Sequence, residues 1–244
     1  MAQIDFALKQ GAENIILTGG EVTIRKDFPV LINKCAENRL QITVQTNGRT
    51  LSQQNVISAV DDIDDIKFVV ALHGASAEVH DDITRVTGSF EQTCRGIKTM
   101  CDMGKTVVLK VVISQINAME LSDILNVAAP LGVKFCCFAF PHGQGAARKN
   151  FAEIIPSYSE LKPSLEKLIL TAKRAHIQIE FEAIPFCILP NNLNLVGELK
   201  YFHGNTLCAQ VREEMFSWDD VRKSIKPLQQ QGNYHVALEK IFDA

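Results

Sequence analysis

The chain lacks long apolar segments and an excess of either charge. No apolar run among its 244 residues approaches the roughly 18 residues that a membrane-spanning helix needs. Residues 1–10 also lack the basic and then apolar order of a signal peptide. The net charge is −3 and the lysines and arginines are dispersed, so neither nucleic acid nor an anionic membrane is an expected partner. These absences predict a cytoplasmic protein.

Closely spaced cysteines are lacking as well. Seven cysteines, an odd number, show no C-x-x-C or C-x-x-x-C spacing, and they stand at positions 35, 94, 101, 136, 137, 187 and 208. This distribution argues against a disulfide framework and against a metal knuckle formed by neighbouring residues. Cys35, Cys94 and Cys101 recur with apolar neighbours at helical spacing, which predicts a packing role.

The other four cysteines form two groups. Cys136 and Cys137 lie in one buried strand, where side chains alternate, so only one of them can face a cleft, and both are expected to pack. Cys187 and Cys208 are the best remaining ligand candidates. Two thiolates are too few for an iron–sulfur cluster, so we predict that no cluster forms on this pair.

The chain does contain a regular alternation of strand-like and helix-like segments. Its 46% hydrophobic and 22% charged residues are typical of one large domain with an ample core. Runs that are apolar on both faces predict buried parallel strands beginning near Ile15, Ile42, Ile66, Val107 and Val133, and an alternating run predicts another at 177–184. Amphipathic helices are predicted to start at Asp27, Ser52, Ser89, Ser122 and Ser157. This order predicts an α/β fold wound around a parallel sheet.

Three segments depart from the alternation. Residues 74–88 lengthen one connection and are predicted to form a polar, ligand-binding loop after a strand. Pro163 follows the capping box at Ser157 and Glu160, and it is expected to delay or kink that helix. Residues 191–244 have no sustained period, so they are predicted to be an extension of a domain that covers residues 1–190.

Polar or glycine-rich residues follow five consecutive strands. They are Thr18-Gly19-Gly20-Glu21, Gln45-Thr46-Asn47-Gly48, Ala71-Leu72-His73-Gly74, Lys110 to Ile113 with Asn117, and Phe138 to Pro141. Glycine lets a ligand approach the backbone, and Glu21 offers an acceptor to an ammonium or hydroxyl group. Because the carboxyl ends of parallel strands meet at one edge of a sheet, these segments are expected to form one cleft.

Five short stretches, taken in order, resemble the motifs of radical S-adenosylmethionine (SAM) proteins. The stretches fall within residues 5–150 and are Gly19-Gly20-Glu21-Val22-Thr23, Thr46-Asn47-Gly48, Leu72-His73-Gly74, His80-Asp81 and Thr87-Gly88-Ser89-Phe90. The segment Ile184-Pro185-Phe186-Cys187 also resembles a family feature. The resemblance implies an incomplete (β/α) TIM-like barrel of radical SAM type, with SAM and a [4Fe-4S] cluster as cofactors.

The resemblance also implies roles for individual residues. Gly20 and Glu21 would hold the methionine amino group of SAM, and Phe140 would lie beside its adenine. Lys110 and Ile113, with Asn117 beyond them, would lie near the carboxylate, ribose and adenine of SAM. The predicted cofactor site comprises Gly19, Gly20, Glu21, Thr46, Asn47, His73, Lys110, Ile113, Asn117 and Phe140, and no metal ligand is predicted.

Three departures from the family pattern bear on activity. The C-x-x-x-C-x-x-C loop that gives three thiolates to the cluster has no counterpart before Cys35. Ala71 replaces the usual serine, Val22 replaces the usual proline, and the segment 226–231 lacks the cysteines of an auxiliary cluster. Either the sequence begins at an internal methionine of a longer enzyme, or the protein is a degenerate homologue. A first helix with no strand before it leaves a parallel barrel one strand short, which favours the first explanation.

Three functional hypotheses follow. The first is a radical SAM enzyme whose complete form abstracts hydrogen from a substrate, with peptides as the class that relatives of this spacing suggest. The second is a non-catalytic SAM-binding or partner-binding barrel. The third is an unrelated lyase or aldolase, which would need a phosphate-binding glycine loop near the last strands or a Schiff-base lysine inside the barrel. Only Lys110 is placed for the lysine role.

A metal site is a further alternative for the loop after the third of these strands. His73, His80, Asp81 and Asp82 are ligand types that a transition metal accepts. A solvated loop explains the acids equally well, and a hydrogen-bonded loop histidine explains His73. We therefore expect no metal at these residues.

Overall fold

Alternating helical and extended segments fold as parallel β/α units. The computed structural model describes residues 2–141, 148–185, 188–189 and 191–197. The strands are β1 Asn14–Leu17, β2 Gln41–Thr46, β3 Ile66–Ala71, β4 Thr106–Val112, β5 Phe135–Ala139 and β6 Gln178–Glu182. The helices are α1 Ala2–Lys9, α2 Phe28–Glu37, α3 Gln54–Val60, α4 Ala77–Thr84, α5 Ser89–Asp102, α6 Leu121–Ala128, α7 Phe151–Ile154 and α8 Tyr158–Ala175, with 3-10 turns at Val22–Ile24 and Leu193–Leu195.

The strands form one sheet in the order of the chain, β1-β2-β3-β4-β5-β6, and every neighbouring pair is parallel. Helical connections between adjacent parallel strands build the wall of a (β/α) barrel. The fold is an incomplete TIM-like barrel, which confirms the predicted fold class. In the part of the chain that the structure describes, no helix is both long and apolar enough to cross a membrane.

Some predictions lie outside the described residues. The ligand role of Cys187 and Cys208 is among them, and so is most of the extension at 191–244. The segment Ile184-Pro185-Phe186-Cys187 is described only as far as residue 185. These predictions stay predictions.

The core lies between the sheet and the helices that cover its outer face. On that face Val44, Phe68, Leu109 and Phe138 are completely buried. The inner face is partly open, since Ile16 of β1 is 59% exposed. The prediction of strands buried on both faces was therefore wrong. A sheet that does not close into a full barrel leaves its inner side chains without partners from the opposite wall.

The start of α8 follows the predicted capping box. Ser157 Oγ accepts a hydrogen bond from the Glu160 backbone N–H at 3.3 Å and donates to Glu160 Oε2 at 2.7 Å. Pro163 lies inside α8, and the helix already begins at Tyr158. The expected delay of the helix start at Pro163 was wrong, because the capped first turn is already in place before the proline.

The other predicted helix starts differ in detail. Asp27 precedes α2 without a side-chain capping bond, and the residue before α3 is Gln53 rather than Ser52. Ser89 is the first residue of α5, and Ser122 lies within α6. These serines were poor guides because a hydroxyl beside a helix start caps it only when the backbone turns toward it.

The predicted polar loop at 74–88 contains the helix α4. Ser76 caps this helix, with its Oγ accepting from the Val79 N–H at 3.3 Å. The buried residue of α4 is His80, which is 1% exposed. The loop prediction was wrong because a single histidine, rather than a stripe of aliphatic residues, carries the buried face of the helix.

Asp81 of α4 caps the next helix from a distance. Its Oδ2 accepts from the Gly88 N–H at 2.6 Å, and its Oδ1 accepts from the Phe90 N–H and Ser89 Oγ, each at 2.8 Å. Burial raises the pKa of Asp81, but the hydrogen bonds from Phe90, Ser89 and Gly88 outweigh it and hold the pKa below its ordinary value of 3.8. The motifs His80-Asp81 and Gly88-Ser89-Phe90 are thus two halves of one structural contact.

We predict that Asp81→Asn lowers the melting temperature at neutral pH. An amide places an N–H group where the backbone of α5 donates, so one helix-start N–H loses its acceptor. The pKa of Asp81 is lower in the folded protein than in the unfolded one. Its stabilisation is therefore complete above the unfolded value of 3.8 and is lost as the pH falls through the folded value.

Thermal denaturation followed by circular dichroism tests this prediction. Asp82→Asn is the matched control, because Asp82 lies on the same helix and pairs with exposed Arg85 on the surface. The expected result is a clear drop for Asp81→Asn and little change for Asp82→Asn. Equal melting temperatures for wild type and Asp81→Asn would contradict the capping role.

Candidate functional site at the strand ends

Glu21 joins the carboxyl ends of β1 and β2. Its Oε1 accepts from the Thr23 N–H at 3.1 Å, from Thr23 Oγ1 at 2.6 Å and from Thr46 Oγ1 at 2.6 Å. Its Oε2 accepts from the Asn47 N–H at 2.8 Å. A carboxylate oxygen has two lone pairs, so Oε2 keeps room for one further donor. The predicted acceptor is therefore held rigidly and still has capacity for a ligand.

The backbone beside this carboxylate is open. Gly19 and Gly20 are exposed, and a Cβ built at either position would meet no atom within 4 Å. Gly19 has φ of +134°, a conformation that only glycine adopts readily. The two glycines and Glu21 thus present an uncovered backbone edge next to an acceptor.

The Thr-Asn-Gly turn after β2 is closed by its own side chains. Thr46 Oγ1 accepts from the Gly48 N–H at 3.0 Å, and Asn47 Oδ1 accepts from the Arg49 N–H at 3.0 Å. Thr93 of α5 donates its hydroxyl to the Asn47 carbonyl at 2.9 Å. Thr46 and Asn47, both predicted site residues, therefore touch Glu21 directly and are fixed by α5.

His73 follows β3 and is held from two directions. Its backbone N–H donates to His80 Nδ1 at 3.0 Å, and its own Nδ1 accepts from the Val112 N–H at 3.3 Å. Burial, and secondarily the charge of His80, lowers the pKa of His73 to about 4. At neutral pH the ring is uncharged, and because Nδ1 is an acceptor its proton is on Nε2.

Asn117 acts as a clamp between two strand ends. Its Nδ2 donates to the His73 carbonyl at 2.8 Å and to the Val112 carbonyl at 2.9 Å, while Oδ1 accepts from the Ser114 N–H at 2.7 Å. The side chain is completely buried. The structure thus gives Asn117 a positioning role beneath the site, and its predicted contact with SAM is not tested.

Lys110 lies on the inner face of β4 and forms a polar cluster with two residues that the sequence did not single out as site residues. Its ammonium pairs with Glu182 Oε2 and lies 3.3 Å from Cys137 Sγ, and Cys137 Sγ donates to Glu182 Oε1 at 3.1 Å. The expected pure packing role of Cys137 was wrong, because its register opposite Lys110 turns it inward. Cys136 packs in the core, so only one of the pair faces the cleft, as predicted.

The ionisation of this cluster argues against a nucleophilic lysine. Burial lowers the pKa of Lys110, but its interactions with the Glu182 carboxylate and with Cys137 together raise it by more than burial lowers it. The net pKa of Lys110 therefore lies above its usual value. Burial, and then Glu182, raises the pKa of the Cys137 thiol to about 12. A lysine held as an ammonium is a poor Schiff-base former. The alternation of residues 177–184 was the signal that could have placed Glu182 on this inner face.

Two further predicted site residues, Ile113 and Phe140, also have buried side chains. Ile113 is completely buried and its N–H donates to the Ala139 carbonyl at 2.9 Å. The Phe140 ring packs against Tyr158, with ring centroids 5.6 Å apart. The structure places both beyond the ends of β4 and β5, and their contacts with SAM remain predictions.

The described cysteines do not form a cluster site. Cys35 is buried, and Cys94 and Cys101 pack against the core, as predicted. Burial raises the pKa of Cys94 to about 11 and that of Cys136, with help from Cys137, to about 12. In the described ranges, no group of three or more His, Cys, Asp or Glu side chains could hold a metal ion. The described cysteines therefore do not supply ligands for a [4Fe-4S] cluster.

Comparisons with known proteins agree with this arrangement. The family model described as the Radical SAM superfamily matches residues 1–128. The AdoMet-dependent heme synthase of Oleidesulfovibrio alaskensis is 29% identical over 131 residues, which are 54% of this chain and 34% of that protein. The mycofactocin maturase MftC of Mycobacterium tuberculosis is 31% identical over 115 residues, which are 47% of this chain and 29% of that protein.

Solved structures share the fold at low sequence identity. Streptococcus suis SuiB bound to the precursor peptide SuiA has a TM-score of 0.63 at 15% identity and covers 78% of this chain and 43% of that one. SuiB bound to S-adenosylmethionine has a TM-score of 0.59, also at 15% identity, and covers 73% of this chain and 41% of that one. This chain thus spans less than half of each protein named here. Because the family model matches more than half of the chain, and the fold is an incomplete TIM-like barrel, the chain belongs to the radical SAM superfamily.

Proposed function

We propose that this chain binds SAM at the carboxyl ends of β1 to β5. The observation that carries the proposal is the uncovered backbone of Gly19 and Gly20 beside a fixed carboxylate that still has an acceptor site. The name of the heme synthase relative, which is AdoMet-dependent, and the SAM complex of SuiB support the same ligand. A parallel barrel places such groups together at one mouth, where this fold binds its ligands.

Each group has a distinct task in binding. Glu21 Oε2 accepts an N–H of the SAM ammonium while Asn47 keeps the carboxylate in place. His73 stays neutral and offers its Nε2–H to a hydroxyl or carboxylate of the cofactor. Asn117 holds His73 by its carbonyl and thereby fixes the ring that donates.

Bound SAM supplies a 5′-deoxyadenosyl radical in this superfamily when a reduced [4Fe-4S] cluster lies beside it. The described residues do not offer that cluster a site. We therefore confine what we propose for this chain's own side chains to holding SAM and orienting the substrate.

A peptide is the substrate class that we propose for the whole protein. Two relatives support it: a mycofactocin maturase, and SuiB, which has been solved with its precursor peptide. The inner face of the sheet also fits an extended chain, since Ile16 and Phe135 are exposed there and Lys110 with Glu182 offers a donor and an acceptor. A peptide unit presents both a carbonyl and an N–H to such a pair.

A SAM-binding module without radical chemistry is the second candidate. The observation in its favour is that the described cysteines lie in the core, or on the inner face with a protonated thiol, while the Gly-Gly-Glu site is intact. Anaerobic reconstitution of the full-length product of the gene with iron and sulfide separates the two, because thiolate-bound clusters absorb broadly near ~400 nm. A stable band favours the enzyme, and its absence favours the module.

We predict that Gly20→Ala weakens SAM binding about tenfold or more without destabilising the fold. The new methyl group meets no protein atom within 4 Å, so it enters only the space that the ligand would occupy. Glu21→Gln should weaken binding as well, because it removes the charged acceptor. Glu78→Gln, an exposed acid in the first turn of α4, is the control for the loss of one negative charge.

Isothermal titration calorimetry with SAM, run beside thermal denaturation of each variant, tests the assignment. Wild type and Glu78→Gln should bind alike, and Gly20→Ala should melt no lower than wild type. No binding by the wild type, or equal affinity of wild type and Gly20→Ala for SAM, would contradict the proposed SAM site.

A further inference from the structure

A second recess adjoins the Gly-Gly-Glu site. It is a cavity of about 300 Å³ between the ends of β2 and β3 and the helices α4 and α5. Its lining includes Asn47 and Arg49, which follow β2, and His73, which follows β3. The Asn47 N–H is bonded to Glu21 Oε2, so the cavity and the ammonium acceptor share one residue. We call this space the Arg49 cavity.

Arg49 brings a positive charge to this cavity without a counter-ion. Its Nε donates to Gln92 Oε1 at 2.7 Å, but its two terminal nitrogens have no partner among the described residues. No described carboxylate pairs with it, whereas the more exposed Arg25 and Arg85 pair with Asp27 and Asp82. A half-buried guanidinium normally acquires an anionic partner, and the part of the fold that the structure describes does not provide one.

The other free polar groups of the cavity wall are donors too. Asn47 Oδ1 is engaged by the Arg49 N–H, which leaves its amide N–H groups for a ligand. His73 has its Nδ1 engaged by Val112 and keeps the Nε2–H. Thr93 donates its hydroxyl proton to the Asn47 carbonyl, so it adds only an uncharged oxygen to the wall.

Asp81 is the acid that lies behind this wall, and it does not serve as the counter-ion. Both of its oxygens accept hydrogen bonds from the start of α5, through Gly88, Ser89 and Phe90. Ser89 and Thr84, which line the cavity, are bonded to each other and to Asp81. The charged group that the wall leaves unengaged is therefore the Arg49 guanidinium, and the Asn47 amide and the imidazoles of His73 and His80 add N–H donors.

We propose that the Arg49 cavity binds a carboxylate, with the Arg49 guanidinium as its anchor and Asn47 as a second donor. The planar fork of arginine matches the two oxygens of a carboxylate. A compound with an α-amino acid end that places its ammonium at Glu21 brings its carboxylate beside Asn47, because both groups stand on one carbon. The carboxylate comes from SAM itself, a case that rests on the proposed function, or from the substrate.

Calorimetry with SAM and with decarboxylated SAM tests the first source. For Arg49→Met the expected result is about a 10- to 100-fold loss of SAM affinity with unchanged affinity for decarboxylated SAM. Arg49→Lys should recover part of the loss, since it keeps the charge but not the fork. Arg85→Met removes an exposed arginine outside the cavity and should change neither affinity. An equal loss for both ligands with Arg49→Met would overturn the carboxylate assignment.

Titration with acetate, against chloride at equal ionic strength, tests the second source. The imidazole ¹H–¹⁵N signals of His73 should shift with acetate in wild type and in Arg85→Met, but not in Arg49→Met. If Arg49→Met binds SAM as tightly as wild type but loses the acetate-induced shift that wild type shows, the substrate supplies the carboxylate. If neither SAM affinity nor the acetate shift depends on Arg49, the proposal is wrong.

The two proposals fail in different ways. A wild-type protein that binds neither SAM nor its decarboxylated form overturns the function proposed above. The acetate titration still tests whether the Arg49 cavity binds a carboxylate. Thermal denaturation of Arg49→Met accompanies both experiments. A variant that melts far below wild type is replaced by Arg49→Lys, for which the same difference between the two SAM ligands is expected at smaller size.

Discussion

Gly96→Ala is expected to destabilise the protein by about 3 kcal/mol or more. A Cβ at Gly96 would lie 2.1 Å from the Gly48 carbonyl oxygen and 3.0 Å from the Leu51 Cβ, so backbone must move to admit it. In an ordinary helix the same change stabilises by about 1 kcal/mol, which makes the sign of the effect diagnostic. Gly48 itself has φ of +79° and carries the turn after Asn47.

Urea denaturation at neutral pH measures this effect, and Gly20→Ala is the matched control because its methyl group meets no atom within 4 Å. We also expect Gly96→Ala to bind SAM more weakly, since displacing α5 displaces the turn that donates to Glu21. A Gly96→Ala protein as stable as wild type would show that α5 does not press against the turn.

The free energy of unfolding is expected to fall by about 3 kcal/mol on account of His73 as the pH drops from 6.5 to about 4. Burial, then the charge of His80, lowers the pKa of His73 in the folded protein. In this range the unfolded chain binds a proton at His73 that the folded chain rejects, so acid favours unfolding. The loss is absent above the unfolded pKa and complete below the folded one.

His73→Asn should flatten this acid limb, because the Asn side chain keeps an acceptor for the Val112 N–H and has no proton to gain. Some slope remains, since burial, opposed in part by Asp81, also lowers the pKa of His80. Urea denaturation at a series of pH values measures the slope. His176→Asn, which replaces an exposed histidine in a left-handed cap that Asn tolerates, is the control. Equal flattening in both variants would contradict the role given to His73.

Strand positions and strand-end motifs could be predicted because each depends on residues that are adjacent in the sequence. Apolar runs indicate where β1 to β5 lie, an alternating run indicates β6, and the Gly-Gly-Glu segment follows β1 after one residue. The parallel order then brings Thr46 and Asn47 to Glu21, as the expected meeting of strand ends predicted. Predictions of this kind need only local conformation and the rule that parallel strands end together.

Helix α4 and the cap at Asp81 could not be predicted in the same way. His80 is the buried residue of α4, and its Nδ1 accepts a hydrogen bond from the backbone N–H of His73, which follows β3. Asp81 caps a helix that begins several residues later, across a turn at Gly88. Local patterns do not record contacts between the ends of different elements.

The sequence by itself determined an α/β fold with parallel strands and the position of the Gly-Gly-Glu edge, and the family resemblance added the incomplete barrel. Hydrophobic periodicity and the backbone freedom of glycine depend only on residues that are close in the sequence. Only the tertiary structure decided which side chains remain available for chemistry. Packing neutralised His73, paired Lys110 with Glu182 and left Arg49 without a counter-ion among the residues that the structure describes. Each outcome depends on distances between residues far apart in the chain, since charge and burial act through space.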